Sequence, residues 1–316
     1  MEEKKNTGVK SGFARGVLLA LGTAVLWGGT SPISKYIGSH GVSMVSVMCY
    51  RALLVVLLVG AWLRYTRGRG WYRISRSLLN TYMLLGLLTV VINACGFMIS
   101  CVYLTVPQAL MLHYTFPLAT MAGSLFITGE PPLLKEIAAG VAVLAGLYIG
   151  FTGEGGGLVS VSVPGLLWGV ASVAALAAQT LISRRMLRDG KSDPVLQLFF
   201  IHLFGGIILA AAKTIFSGWE DLKAVDGLIF VLMQYAAIAS GLGAFWLMFS
   251  ALKYIGAPLV SLICTLELVF ALIITALVLR QPPTLFELAG CAIITAAVAF
   301  AASGKKTPEA RDGKAD

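Results

Sequence analysis

Charge is scarce in this 316-residue sequence. Asp, Glu, Lys and Arg make up 12% of it, about half the share usual in soluble domains. With 58% hydrophobic residues and a mean hydropathy of +0.85, that scarcity excludes an ordinary soluble domain and implies an integral membrane protein. Histidine is scarcer still, with three in the chain, so imidazole-based catalysis has little to work with. The five cysteines (Cys49, Cys95, Cys101, Cys264 and Cys291) lie within or at the ends of apolar runs. They have neither metal-ligand spacing nor a disulfide framework, and they read as small apolar fillers.

Several chemical motifs are missing as well. There is no Gly-x-Ser-x-Gly and no His-Glu-x-x-His. Gly190-Lys191-Ser192 does not complete a phosphate loop, because Arg185 stands where the first glycine would be and the segment follows an apolar run. The Gly153–Gly157 cluster ends at Leu158, one glycine short of a dinucleotide fingerprint. No cofactor, no metal and no ATP-driven transport by this chain alone are expected. The net charge of +9 would suit nucleic acid, but the basic residues cluster in short connections between apolar runs. That is the pattern of membrane orientation, and no nucleic-acid partner is expected.

What the sequence has is long apolar runs, ten of them: roughly Gly16–Ile37, Ser43–Leu63, Thr81–Leu104, Pro107–Ile127, Leu134–Phe151, Pro164–Ile182, Pro194–Ala212, Gly227–Leu252, Ala257–Leu279 and Leu285–Ala302. Each is near the ~20 residues that cross a bilayer. Lys4, Lys5, Lys10 and Arg15 precede the first run as in a signal peptide, yet no clear small-residue cleavage site follows, so it reads as an uncleaved helix. With alternate crossings, nineteen of the 24 Lys and Arg residues fall on one side, four on the other, and Arg51 within a span. The bias predicts a multi-pass protein of the cytoplasmic (inner) membrane with both termini in the cytoplasm.

An internal repeat sets the architecture. At an offset of 151 positions Tyr103, Pro107, Pro131, Pro132 and Glu136 fall on Tyr254, Pro258, Pro282, Pro283 and Glu287, and Arg51 falls on His202. At 149 positions Gly16, Ile33, Ser34 and Lys35 fall on Gly165, Ile182, Ser183 and Arg184. The expected fold is an all-α membrane protein of ten transmembrane helices in two five-helix repeats, 16–152 and 164–302. A cytoplasmic segment 1–15 precedes them and a cytoplasmic tail 303–316 follows. Five is odd, so the second repeat enters from the opposite face. Inverted repeats of this kind place a solute site near the midplane between the halves.

The sequence also resembles the drug/metabolite transporter superfamily, and within it the EamA-type group with ten helices. The resemblance rests on Ala24-Val25-Leu26-Trp27-Gly28, Tyr50-Arg51, Tyr114-Thr115-Phe116-Pro117 and Gly129-Glu130 in the first half. In the second it rests on Ala251-Leu252-Lys253-Tyr254-Ile255 and Leu266-Glu267-Leu268-Val269-Phe270-Ala271. It implies a secondary transporter, commonly an exporter of small metabolites, with a cavity lined by helices 1, 3, 4, 6, 8 and 9. Helices 2 and 7, with Arg51 and His202, would lie outside that cavity in structural roles. Two departures stand out: Glu267-Leu268 where the family often has Glu-Pro, and Arg280-Gln281 where it often has Gly-Glu. Loss of the proline predicts a straighter ninth helix and halves that bend unequally.

Glu267 is the leading candidate for substrate binding. It is a carboxylate about 15 Å into its run, where a charge costs at least ~2.5 kcal/mol and needs a partner, a proton or water. It would bind a cationic group or a proton, or else hold helices together. His113 shares a helical face with Pro117, Thr120 and Ser124, and would bond substrate or a neighbouring helix. Tyr114 offers a hydroxyl or packing. Asn93, Gln179 and Gln234 are amides needing partners, and Asn93 and Gln179 are placed in the site. Trp27 and Trp246 wall the cavity or pack the core. The reading is an alternating-access transporter of small metabolites, amino acids or related solutes above all, in the export direction. An intramembrane enzyme or lipid-handling protein is the alternative. Its partners would be a small-molecule substrate, the lipid bilayer and protons, and a homodimer is compatible with the sequence.

Overall fold

The computed structural model of the chain describes residues 2–152, 162–278, 280 and 282–303. Among them ten helices are long and apolar enough to cross a membrane. They are α1 (Ser11–Ser39), α2 (Met44–Arg67), α3 (Arg76–Tyr103), α4 (Gln108–Ile127), α5 (Leu134–Phe151), α6 (Val163–Arg188), α7 (Pro194–Phe216), α8 (Gly227–Ala251), α9 (Ala257–Leu277) and α10 (Leu285–Ala302). They form two five-helix repeats, α1–α5 and α6–α10. The Gly153–Gly157 cluster and the tail beyond Ser303 lie outside the described residues.

Hydrocarbon supplies no partners for free backbone groups, so the first N–H groups of each helix must be capped at its ends. Ser43, Asp193 and Asp226 accept backbone N–H bonds at the starts of α2, α7 and α8. The repeated glutamates have the same job. Glu287 closes a capping box with Thr284, and Glu136 accepts from the Leu133 N–H at 2.8 Å. Their fixed offset therefore marks a shared helix start rather than a binding site. Ser75 caps α3 at Leu78, so that span begins before the expected Thr81.

The repeats are interleaved. α6, which opens the second repeat, packs against α3 and α4 of the first. Its counterpart α1 packs against α8 and α9 of the second. Further seams join α2 to α7 and α8, α3 to α7, α4 to α9 and α5 to α10. In the last of these, Gly146 and Gly290 bring two backbones together: a Cβ at Gly290 would stand 2.5 Å from the Gly146 carbonyl oxygen.

Five spans depart from straight α-helix. α1 breaks at Gly29, α4 at Tyr114–Thr115 and α9 at Thr265–Leu266. α3 and α8 each contain a stretch of π-type turns, Leu87–Asn93 and Ala236–Ala244. The break in α9 corrects the expectation of a straighter helix, because the proline is not what bends it. The Thr265 hydroxyl donates to the Leu262 carbonyl at 2.6 Å, and its N–H bonds the same carbonyl at 3.1 Å. In α4 the Thr115 hydroxyl and N–H do the same to Leu112, at 2.7 and 3.1 Å. A threonine side chain that takes an i−3 carbonyl tightens the turn and frees the next one. α4 and α9 thus bend at matching places, while the break in α1 has no counterpart in α6.

Opposite the basic end, Lys213 is buried on α7 and paired with Asp221 at 3.0 Å. Asp221 also accepts from the Ser46 hydroxyl at 2.6 Å and the Ser43 N–H at 2.9 Å, tying the α7–α8 link to α2. Burial pushes the Asp221 carboxyl up, but the bonds from Ser46, Lys213 and Ser43 and the lysine charge outweigh it and hold it below the usual range. A carboxyl held low stabilises the fold above about pH 4, the unfolded value, and loses that contribution as pH falls through its folded value. Asp221→Asn should therefore cost about 3 kcal/mol near neutrality by stranding Lys213. Thermal melts of the two proteins should converge in acid; a constant difference at all pH values would refute this role.

Candidate functional site

The breaks and π-type stretches meet at a cavity of about 220 Å³ lined by α1, α2, α3, α4, α6, α8 and α9. It is smaller than the ~300–1,000 Å³ usual for drug-sized ligands. Glu267 lines it and is the first residue of the second half of α9 (Glu267–Val278). The carboxylate thus stands at the positive end of that half-helix, which offsets part of its burial cost. Tyr114, at the break in α4, donates its hydroxyl to Glu267 Oε1 at 2.5 Å. The two broken helices are therefore joined across the repeats at their breaks.

His113 lines the same wall in an aromatic group with Phe97 and Phe116, at ring distances of 4.7 and 6.1 Å. Its Nδ1 is buried without a hydrogen-bond partner among the described residues. On α3, Asn93 accepts from the Ser172 hydroxyl at both its carbonyl and its side-chain oxygen, each at 2.9 Å. Among the described residues its side-chain amide donates no hydrogen bond. On α8, Ser240 accepts from Trp27 Nε1 at its carbonyl and from the Thr30 hydroxyl at its side chain. The wider π-type turns put these carbonyls and side chains where regular helix would turn them aside.

The structure thus brings together Glu267, His113, Tyr114, Asn93 and Trp27, and leaves two expected residues elsewhere. Trp246 is 44% exposed and lines no part of the cavity. On α8 it is Phe245, one position earlier, that faces in and packs edge-on to Trp27 at 5.3 Å. Gln179 is fully buried in α6, away from the cavity, with both amide ends unpartnered among the described residues. Its neighbour Thr180 lines the wall instead. Gln234 bonds the Tyr50 hydroxyl at 2.6 Å and is likewise outside the cavity.

Arg51 is the main residue that sequence reasoning misplaced. α2 was expected outside the cavity, yet Arg51 and Met48 form part of its lining. A lone guanidinium inside an apolar span was the signal, since such charges face a bundle interior or a cavity. Thr30, Thr89, Ser240 and Ser261 also line it, and short hydroxyls among apolar residues carry no comparable signal.

One end of the bundle is shut. All eight residues of the first half of α9, Ala257–Cys264, are buried, whereas the described second half is half-buried or exposed. Beyond the closed half, Glu130 at the end of α4 receives a two-pronged ion pair from Arg184 of α6, at 3.1 and 2.7 Å. Arg184 also donates to the Leu252 carbonyl at the end of α8, at 2.6 Å. Arg188 reaches Glu130 at 3.4 Å and the Thr128 carbonyl at 2.6 Å. These contacts bind the first repeat to the second over the cavity floor.

Comparison with known proteins agrees with this architecture. The model of the EamA-like transporter family matches residues 14–152 and again 163–303. A solved crystal structure of another protein superposes with a TM-score of 0.75 at 18% identity, over 91% of this chain and 96% of that one; at that identity it speaks for the fold alone. No curated protein matches the sequence.

Tyr114→Phe should destabilise the protein by about 1–3 kcal/mol, because it strips a buried carboxylate of its hydroxyl. The loss should shrink in a Glu267→Gln background. Equal losses in both backgrounds, read by thermal unfolding of purified protein, would show that the two groups do not interact.

Proposed function

The chain belongs to the EamA-like transporter family, and on that premise we propose that it is a secondary transporter moving small metabolites through the cavity by alternating access. The observation that carries this reading is the Tyr114–Glu267 bond, which joins one broken helix of each repeat inside a membrane-embedded cavity. Glu267 would be the coupling group: a bare carboxylate at this depth is costly, and either a proton or a cationic group of the solute removes that cost. His113 and Asn93 would offer further polar contacts, with Trp27 and Phe245 as apolar walls. Amino acids and related solutes are the class in view.

Access would alternate by rocking of the interleaved halves about the α2–α7 and α5–α10 seams. The Glu130–Arg184 contact would close the face that holds the basic links, and that face and both termini would lie in the cytoplasm, a reading the charge bias supports. The chain would reside in the cytoplasmic membrane. Export, the direction the resemblance favours, would begin with opening of that contact.

Proteoliposomes holding the full chain should accumulate or release labelled solute from a panel of amino acids, amines, carboxylates, sugars and nucleosides. No flux of any class by folded protein would overturn the transporter reading. Flux should depend on pH between about 5 and 8, and Glu267→Gln should flatten that dependence. A variant with the wild-type rate and pH profile would remove Glu267 from the mechanism. Cys264 is buried and lines the cavity, so it reports on the closed face. In a protein whose other four cysteines are alanine, Glu130→Gln should raise labelling of Cys264 by a water-soluble maleimide several-fold. An unchanged rate would show that the ion pair does not hold the cavity shut.

A further inference from the structure

Arg51 is a second charged pole of the cavity, held in place but not neutralised. Among the described residues it makes no ion pair and no hydrogen bond, and its Nε is buried without an acceptor. Its position is nevertheless built. The stem crosses Gly241 in the π-type stretch of α8, where a Cβ would stand 2.5 Å from Arg51 Cγ and 2.7 Å from Cδ. The guanidinium carbon lies 5.8 Å from the ring centre of Phe245. Phe245 is fixed in turn, edge-on, by Trp27 at 5.3 Å and by His202 at 5.5 Å. His202 is the position that matches Arg51 in the second repeat. Its Nδ1 bonds the Leu198 carbonyl at 2.9 Å, and Nε2 is buried without a partner among the described residues. An aromatic face and a missing side chain orient a guanidinium without satisfying its fork of N–H donors, which matches a carboxylate in two-pronged fashion.

Glu267 does not supply that carboxylate. It sits on the α4–α9 side, bonded to Tyr114, and forms no ion pair with Arg51. Two opposite charges are thus kept apart on different walls of one small cavity. We propose that Arg51 binds the carboxylate of the transported solute while Glu267 receives its ammonium group, so that the site selects zwitterions over simple amines and simple acids. This rests on the cavity being the solute site, as proposed above. The same arrangement explains how the membrane tolerates both charges, since a bound zwitterion neutralises each of them.

Matched probes test it on the purified full-length protein: L-leucine, L-leucinamide and 4-methylpentanoate, and L-phenylalanine, L-phenylalaninamide and 3-phenylpropanoate. Affinity is read from concentration-dependent thermal stabilisation. Wild-type protein should bind the amino acid of a trio at least about tenfold more tightly than either analogue. Arg51→Gln should weaken the amino acid and the acid by about tenfold or more and leave the amide unchanged. Glu267→Gln should show the converse. Gly241→Ala keeps both charges and displaces the Arg51 stem, so it should reproduce the Arg51→Gln pattern. Wild-type comparison alone decides the matter if Arg51 variants fail to fold. Equal binding of amino acid and amide by wild type, or equal weakening of both by Arg51→Gln, would overturn the role of Arg51 and leave the transporter reading standing. Failure of wild type to bind any of the six would overturn zwitterion selection, while the transporter reading would still be judged by the flux panel.

Discussion

Hydrocarbon leaves no backbone group unpaired, and most of this structure follows from that constraint. Ten runs become helices because helix is the local way to bond every N–H and C=O within a span. Departures from helix are therefore expensive, and they occur where something takes up the freed groups. Thr115 and Thr265 add a hydroxyl bond to the Leu112 and Leu262 carbonyls at the breaks in α4 and α9. The π-type stretch of α8 hands carbonyls to Trp27 and Thr23. The cavity exists where these irregularities converge, so the polar interior and the broken backbone have a common origin.

The repeat supplies a symmetric frame, and the site departs from it. Helix breaks recur in α4 and α9, and π-type turns in α3 and α8. The chemistry does not recur. Glu267 falls on Phe116, His113 on Cys264 and Arg51 on His202 at the common offset. α1 breaks at Gly29 while its partner α6 runs unbroken. A duplicated scaffold can thus provide two hinges without providing two copies of a binding site. The polar face of α6 runs from Thr180 at the cavity to Ser183 and to Arg184, which bonds Glu130 at the closed end.

Spans and repeat were legible because hydrophobic length and paired prolines leave strong marks in sequence. Glu267 was legible for the same reason: one carboxylate in an apolar run has to be accounted for. The α9 break was not legible, because threonine bends a helix through a bond that also forms in straight helices, and its outcome depends on packing. Trp246 and Phe245 could not be told apart, since the π-type turns of α8 rotate the downstream face away from regular 3.6-residue spacing. Gln179 and Thr180 raise the same problem of facing within α6. Arg51 was assigned by resemblance to the outside, although the physical cost of its charge pointed inward.

Gly146 and Gly290 have a mechanical consequence. Where α5 meets α10 the two main chains touch directly at Gly146 and Gly290, with the Ile293 and Ile294 side chains packed beside the contact. A seam of that kind behaves as a bearing rather than a spring. It resists separation and stores little strain, and it permits rotation about the point of touch. The reach of any rocking motion is then set by how far each helix end lies from that point.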